Sequence, residues 1–241
     1  MTLERTGQGL PAEPQPPGAS LQASVEISPA LRLQILSTEH WSLLATRSLA
    51  WNEVFARAST YLSALAGAIV ALALVGQGSQ FGTNFLVFGI VILPVVLVIG
   101  VTTHVRMGES NAYEAQCVVG MNRIRHGYLE LAPDLARYFV MSAHDDARGI
   151  ATTEGIQPGG PQVLHLFAST PAVISVVNSV VAAGFTSLVA ELAGATAPVV
   201  LGIAVVAFAA ALTAHLRYGR RNFARTRTWE PIFPGDSATL R

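Results

Sequence analysis

The sequence predicts an all-α, multi-pass membrane protein with four transmembrane helices. Of its 241 residues, 51% are hydrophobic and only 12% are charged, whereas soluble domains carry about 25% charged residues. Four separate stretches are apolar over about 20 residues, the length that an α-helix needs to cross a bilayer. One soluble core of this size cannot bury so many apolar residues, so the bilayer must be the solvent for part of the chain.

Charge and cysteine content exclude several other classes of protein. Fifteen basic and fifteen acidic residues give a formal net charge of zero, so no overall positive field draws nucleic acid. Cys117 is the single cysteine, which excludes an internal disulfide. The first residues lack the apolar core of a cleavable signal peptide.

The first 59 residues divide into a tail and a helix. Residues 1–28 are rich in proline and glycine and are expected to be disordered. Residues 29–59 are predicted to form an amphipathic helix, because apolar residues recur there every three or four positions. That stripe consists of Trp41, Leu44, Ser48, Trp51 and Phe55. Two placements are open: a cytoplasmic helix whose stripe packs on a second stripe or on another subunit, or a helix lying on the bilayer with its tryptophans at the interface.

The four spans form two hairpins, over residues 60–104 and 169–216. The predicted spans are 60–75, 85–104, 171–189 and 198–216, and Thr170 with Pro171 forms a typical helix start. No span has an Asp, Glu, Lys or Arg in its middle. Proton-coupled carriers and voltage sensors need such charges, so neither is expected.

The segments 105–168 and 217–241 are predicted to lie outside the membrane. The first begins with a helical stripe that continues the second span and ends in a loop; its stripe consists of Tyr113, Cys117, Met121, Ile124 and Tyr128. The second is a basic tail expected to contact anionic lipid headgroups. The tail arginines assigned to this contact are Arg217, Arg220, Arg221, Arg225 and Arg227.

Arginine placement predicts the orientation. Both hairpin turns lack arginine, whereas the segments 105–168 and 217–241 are rich in it. By the positive-inside rule both termini and the middle segment are cytoplasmic. We therefore expect a multi-pass membrane protein whose two hairpin turns face outside.

An internal repeat relates the ends of the second and fourth spans. Five residue types match at identical offsets, 111 positions apart, and both hairpins run in the same direction, as in a parallel duplication. The matched residues are Thr102, His104, Arg106, Gly108 and Asn111 in the first copy and Thr213, His215, Arg217, Gly219 and Asn222 in the second. The sequence therefore predicts two duplicated hairpins with cytoplasmic helical extensions.

The repeated motif has two interpretations. In the first, arginine and histidine anchor the helix ends at the inner leaflet. In the second, a pseudo-two-fold axis brings His104 and His215 together, where a pair of imidazoles suits a pH sensor, a channel mouth, a metal or a haem. No metal site, catalytic residue or cofactor is predicted, because no motif for any of them is present.

Polar residues in the third span suggest a further candidate site. Asn178 lies near the middle of that span, with Ser175 and Ser179 beside it. Such residues hydrogen-bond a neighbouring helix or line a pathway for a permeant species.

Residues 123–139 and the following His144-Asp145-Asp146 resemble uncharacterised integral membrane proteins of high-GC, actinobacterial bacteria. The likeness covers roughly residues 30–150. It implies a helical fold in the inner membrane and brings no activity with it. We expect a non-enzymatic scaffold or sensor with lipid partners that forms a homo-oligomer; the alternatives are a passive channel or small transporter and, less favoured, a bis-histidine haem protein.

Overall fold

The computed structural model describes residues 27–155, 169–226 and 229–235, which are almost entirely helical. Four of its helices are long and apolar enough to cross a membrane, so the protein is an all-α, multi-pass membrane protein. The predicted tail spans residues 1–28, of which 1–26 lie outside the described residues. The elements are α1 Pro29–Gly78, α2 Thr83–Leu131, a 3-10 helix Pro133–Tyr138, α3 Ala147–Thr153, α4 Thr170–Leu192 and α5 Ala197–Thr226.

The first two helices are far longer than a bilayer is thick. With 50 and 49 residues and a rise of 1.5 Å per residue, each is about 75 Å long. The hydrocarbon core of a bilayer measures about 30 Å. Both helices therefore continue well past the membrane on the same side. We call this antiparallel pair, residues 29–59 of α1 and 105–131 of α2, the arm.

A single row of α1 side chains packs against α2 in both the arm and the membrane. Its positions recur every three or four residues, the spacing of a coiled-coil seam. Leu43 lies against Gly120, and Arg47 Nη2 is 2.7 Å from Glu114 Oε1. The buried or half-buried row comprises Leu36, His40, Leu43, Arg47, Ala50, Val54, Ala58, Tyr61, Leu65, Ala68 and Leu72.

The expectation that the aromatic stripe of α1 packs on the stripe of α2 is wrong. Cys117 and Met121 of α2 are buried, but the side chain of Trp41 is 71% exposed and that of Phe55 is 51% exposed. A helix has one seam, and the row that packs on α2 in the membrane continues into the arm. Since each residue turns the helix by about 100°, the aromatic stripe lies on another side.

The alternative placement on the bilayer surface does not fit α1 either. Residues 29–59 belong to the same continuous helix as the first span. Trp41 precedes Ala58 by 17 residues, or about 25 Å along the helix. The ring of His40 stacks on that of Tyr128 of α2, with 5.9 Å between their centroids, so the arm remains paired far from the span.

Helix α2 is central because it contacts α1, α4 and α5. Its inward side chains share a core cluster with Tyr61 of α1 and with Ile174 and Val181 of α4. Gly194 closes the turn between α4 and α5 with a φ of +80°, a conformation that favours glycine. Helix α5 continues to Thr226, so the first residues of the predicted basic tail extend the fourth span as a helix.

Candidate functional site

The two copies of the repeated motif meet where α2 crosses α5. The rings of His104 and His215 lie edge to face, with 4.6 Å between centroids and 78° between planes. Their side chains are buried, with 6% and 9% exposure. The proximity that a pseudo-two-fold axis would give the two imidazoles is therefore present in the fold.

The hydrogen bonds around the histidines assign their tautomers. His215 Nδ1 is 2.7 Å from the carbonyl oxygen of Ala211, which only accepts, so Nδ1 carries the proton. Nε2 then accepts from Asn178 Nδ2 at 3.3 Å. The hydroxyl of Ser175 donates its one proton to the carbonyl of Pro171 at 2.7 Å, so it accepts from His104 Nδ1 at 3.3 Å.

Three buried polar atoms at this place have no hydrogen-bond partner within the described ranges: Tyr61 Oη, His104 Nε2 and Asn178 Oδ1. Tyr61 and Asn178 have no exposed surface. An unpaired buried polar group costs roughly 1–3 kcal/mol in proteins. We call these three residues, together with their hydrogen-bond partners Ser175 and His215, the polar core. Its members are Tyr61, His104, Ser175, Asn178 and His215.

Ser179 is buried beside the polar core but is satisfied by its own helix. Its hydroxyl donates to the carbonyl of Ser175 at 2.7 Å, and its side chain has no exposed surface. Of the three candidate pathway residues, Asn178 alone therefore has an uncommitted polar atom.

Gly100 permits the close approach of α1, α2 and α4 at the polar core. A Cβ atom on Gly100 would overlap Asn178 Oδ1 and would lie 2.6 Å from Tyr61 Cε2. Ordinary contacts need 3.4 Å or more. Residue 100 must therefore lack a side chain for Tyr61 and Asn178 to keep their positions.

Gly108 has a similar role about two helical turns farther along α2. A Cβ there would lie 2.9 Å from Tyr218 Cε1. Tyr218 Oη donates to the carbonyl of Val105 at 3.2 Å, and Asn222 Nδ2 donates to the carbonyl of Gly108. The end of the fourth span is thus hydrogen-bonded directly to the backbone of α2.

The second copy of the motif does not reciprocate these contacts. Around a Cβ on Gly219 there is nothing within 4 Å, and Asn111 is exposed. The matched residues are thus used asymmetrically, whatever their origin.

The remaining motif residues lie on the outside of the helices. Thr102 and Thr213 are exposed, and the Thr102 hydroxyl donates to the carbonyl of Val98 at 2.9 Å. Arg106 pairs with Glu53 of α1 and with Glu109, each at 3.0 Å. Two carboxylates therefore already neutralise Arg106, and a lipid phosphate would have to compete with them.

The tail arginines are exposed where they are described. Arg217, Arg220 and Arg221 follow the polar core on α5, and all three are exposed. The backbone of Arg225 is helical but its side chain is not described, and Arg227 lies outside the described residues.

An uncharged, exposed face runs along the arm. Between Glu39 and Glu53 the only charged residue is Arg47, which turns inward to Glu114. Trp41, Leu44, Trp51 and Phe55 are between 43% and 71% exposed. We call these four residues, together with the exposed Ser48 on the same side of α1, the arm face. Contiguous exposed apolar surface of this kind is typical of an interaction site.

The histidine pair does not suit a haem. The two rings touch each other, so no macrocycle fits between them, and both nitrogens of His215 already have partners. Within the described ranges no three His, Cys, Asp or Glu side chains lie together as metal ligands would.

Three members of this region, Tyr61, Gly100 and Tyr218, were not predicted from the sequence. The signal for Tyr61 was its place in the regular seam of α1. Gly100 and Tyr218 became recognisable only when the helices were in place.

The chain matches no family model, and neither a curated protein nor a solved structure is detectably similar to it. The resemblance to actinobacterial membrane proteins stays a prediction. The arm face and the polar core are the features of the described residues that bear on its function.

Proposed function

We propose that this protein is a non-enzymatic scaffold of a bacterial inner membrane, and that two copies assemble through their arm faces. The observation that carries the proposal is the uncharged, exposed row of aromatic and aliphatic side chains on the arm. A helix surface that stands outside the membrane and lacks charge over thirteen residues, 40–52, apart from the inward Arg47, is poorly suited to water.

A second copy of the chain suits this face better than an unrelated charged partner. Two identical uncharged faces meet without like-charge repulsion, and a two-fold axis lets the arm face of one copy pack on the arm face of the other. Trp41, Trp51 and Phe55 supply aromatic anchors, which dominate interface energetics. Two arms back to back would form a four-helix bundle beside the membrane.

The proposed orientation has both termini and the arm in the cytoplasm. It rests on the arginine-free turns and on the exposed Arg217, Arg220 and Arg221 beside the fourth span. These arginines would bind anionic headgroups. A sensory version of the same scaffold would use the histidine pair, whose ring centroids lie 4.6 Å apart. No nucleic-acid partner is proposed, since the net charge is zero.

The proposal is tested by the mass of the protein in mild detergent, measured by light scattering. We expect a defined oligomer for the wild type and a monomer for Trp51→Glu, because a carboxylate would be buried against its counterpart. Val140→Glu is the matched control, since Val140 is 89% exposed and lies off the arm face; its mass should equal that of the wild type. A monomeric wild type, or an oligomer that survives Trp51→Glu, would contradict the proposal.

The unpaired atoms of the polar core favour one alternative, a passive channel or small transporter. Asn178 and Ser179 are fully buried, so a pathway would require the helices around them to separate. Asn178→Leu distinguishes the two functions in a vesicle flux assay. A channel would lose flux while the protein stays folded and assembled, whereas the scaffold has no flux to lose.

A further inference from the structure

A short C-terminal segment returns to the arm and binds a pair of aspartates. Residues 230–235 lie against the loop that precedes α3, where the side chain of Asp145 has no exposed surface. Asp145 Oδ2 is 2.7 Å from Arg123 Nε of α2. No sequence pattern indicated this contact, because Asp145 and Phe233 are 88 positions apart.

Every backbone N–H group from residue 231 to residue 235 donates to a carboxylate oxygen. Pro231 and Pro234 have no N–H group. Ile232 donates to Asp145 Oδ2 at 2.9 Å and Phe233 to Asp145 Oδ1 at 2.8 Å. Gly235 donates to Asp146 Oδ2 at 2.9 Å. The two prolines thus stand at the positions of the segment that face no carboxylate oxygen of Asp145 or Asp146.

The loop also donates to the segment and to its own helix. The N–H group of Asp145 donates to the carbonyl of Phe233 at 3.3 Å. Asp146 Oδ1 accepts from the N–H group of Gly149 at 2.7 Å and so caps α3. All four carboxylate oxygens are therefore used, three of the bonds serving the segment directly.

One aromatic side chain anchors the segment. The ring of Phe233 stacks on that of His126, with 4.0 Å between centroids and 18° between planes. Phe233 also closes one side of a groove of about 370 Å³ between α1 and α2, which Leu36 and Gly127 help to line. Ile232, next to it, is 59% exposed and contributes its backbone rather than its side chain.

We propose that Arg123, His126, Asp145 and Asp146 form a peptide-binding site, and that residues 231–235 are its resident ligand. The site takes a segment that bends at two consecutive residues with free N–H groups, the second of them aromatic, with a proline on either side. Docking ties the segment that follows the second hairpin to the arm of the first and closes one side of the groove. Because one half-buried ring and a few backbone bonds hold the segment, it can exchange with a peptide of the same pattern.

The test uses full-length chains and a fluorescent synthetic peptide of residues 229–235. Phe233→Ala should free the site, so we expect this chain to bind the peptide at least tenfold more tightly than the wild type does, because the wild-type segment competes. Ile232→Ala is the matched control and should behave as the wild type. Equal binding to the wild type and to Phe233→Ala would overturn the proposal.

A second peptide tests the role of the aromatic ring on one and the same chain. The same peptide with alanine at the position of Phe233 should bind the Phe233→Ala chain at least tenfold more weakly. Equal affinity of the two peptides would show that His126 does not select an aromatic ring and would also overturn the proposal. Neither result depends on oligomeric state, so failure here is distinguishable from failure of the scaffold proposal.

Discussion

Replacing Gly100 with alanine places one methyl group at the most crowded point of the membrane bundle. The new Cβ would overlap Asn178 Oδ1 and would lie 2.6 Å from Tyr61 Cε2. Neither neighbour yields easily, because Asn178 is hydrogen-bonded to His215 and Tyr61 belongs to the buried core cluster. Relief requires α2 to move away from α1 and α4.

The expected net cost combines two unfavourable contributions and one favourable contribution. Overpacking of a close-packed interior costs about 1–3 kcal/mol. Displacing the Asn178 amide loses an interhelical hydrogen bond worth about 0.6–2 kcal/mol. Alanine recovers about 1 kcal/mol of helix propensity. We therefore expect Gly100→Ala to lower the free energy of unfolding by roughly 1–4 kcal/mol.

Gly67→Ala is the matched control, because the same substitution there meets nothing within 4 Å. It should leave stability unchanged or raise it by up to about 1 kcal/mol. Reversible unfolding of both variants in mixed detergent micelles, followed by circular dichroism, measures the difference. Equal stability of Gly100→Ala and Gly67→Ala would refute the close packing of α1, α2 and α4 at the polar core.

Three further predictions concern contacts outside the centre of the bundle. Arg47→Met should destabilise the protein by about 1–3 kcal/mol, because Glu114, whose side chain is 15% exposed, would lose its partner; Arg57→Met removes an exposed pair and should cost under about 0.5 kcal/mol in the same unfolding assay. Asn222→Ala should cost about 1 kcal/mol because it removes the side-chain hydrogen bond from α5 to the Gly108 carbonyl, and an unchanged unfolding midpoint would argue against that contact. Burial alone would raise the pKa of Asp145, but hydrogen bonds from Ile232, Arg123 and Phe233 outweigh it and hold the pKa below its ordinary value of 3.8. A lowered carboxyl pKa stabilises the docked segment at neutral pH. Hydrogen exchange should therefore show that amides 232, 233 and 235 are protected above about pH 4 and lose protection as the pH falls further. Protection that persists with Asp145 protonated would contradict this prediction.

The number of candidate membrane spans could be predicted from the sequence because the bilayer imposes simple demands. A span needs about 20 apolar residues, and the stretches that end at His104 and Leu216 meet this demand without any tertiary information. The repeated motif also identified the two histidines that meet. The first copy of the motif lies on α2 and the second on α5. The two histidines therefore meet once the two hairpins lie side by side at the same height.

The face that α1 uses could not be chosen from the aromatic stripe. Trp41 and Phe55 outrank Leu36, His40 and Arg47 in size and aromatic character, yet the second row packs on α2. The deciding fact is geometric: the row is continuous with Tyr61 and Ala68 in the membrane, and a straight helix keeps one seam. A search for unbroken spacing of three and four over the whole helix, rather than for the largest side chains, would have found it.

Long-range polar contacts could not be predicted from the sequence for a different reason. Asp145 binds the backbone of Ile232 and Phe233, and backbone groups leave no residue signature except the prolines that lack them. Gly100 likewise matters only because Tyr61 of α1 and Asn178 of α4 pack against it, and the sequence of α2 alone does not show these neighbours.

Disulfide cross-linking in native membranes tests the central claim, that two copies meet through their arm faces, most directly. Ser48 lies amid the arm face and is exposed, so Ser48→Cys in a Cys117→Ala background places a single thiol there. Thr152→Cys, also exposed but on α3, is the control. We predict a covalent dimer for Ser48→Cys under mild oxidation and none for Thr152→Cys. Monomer only, or equal dimer from both positions, would contradict assembly through the arm faces.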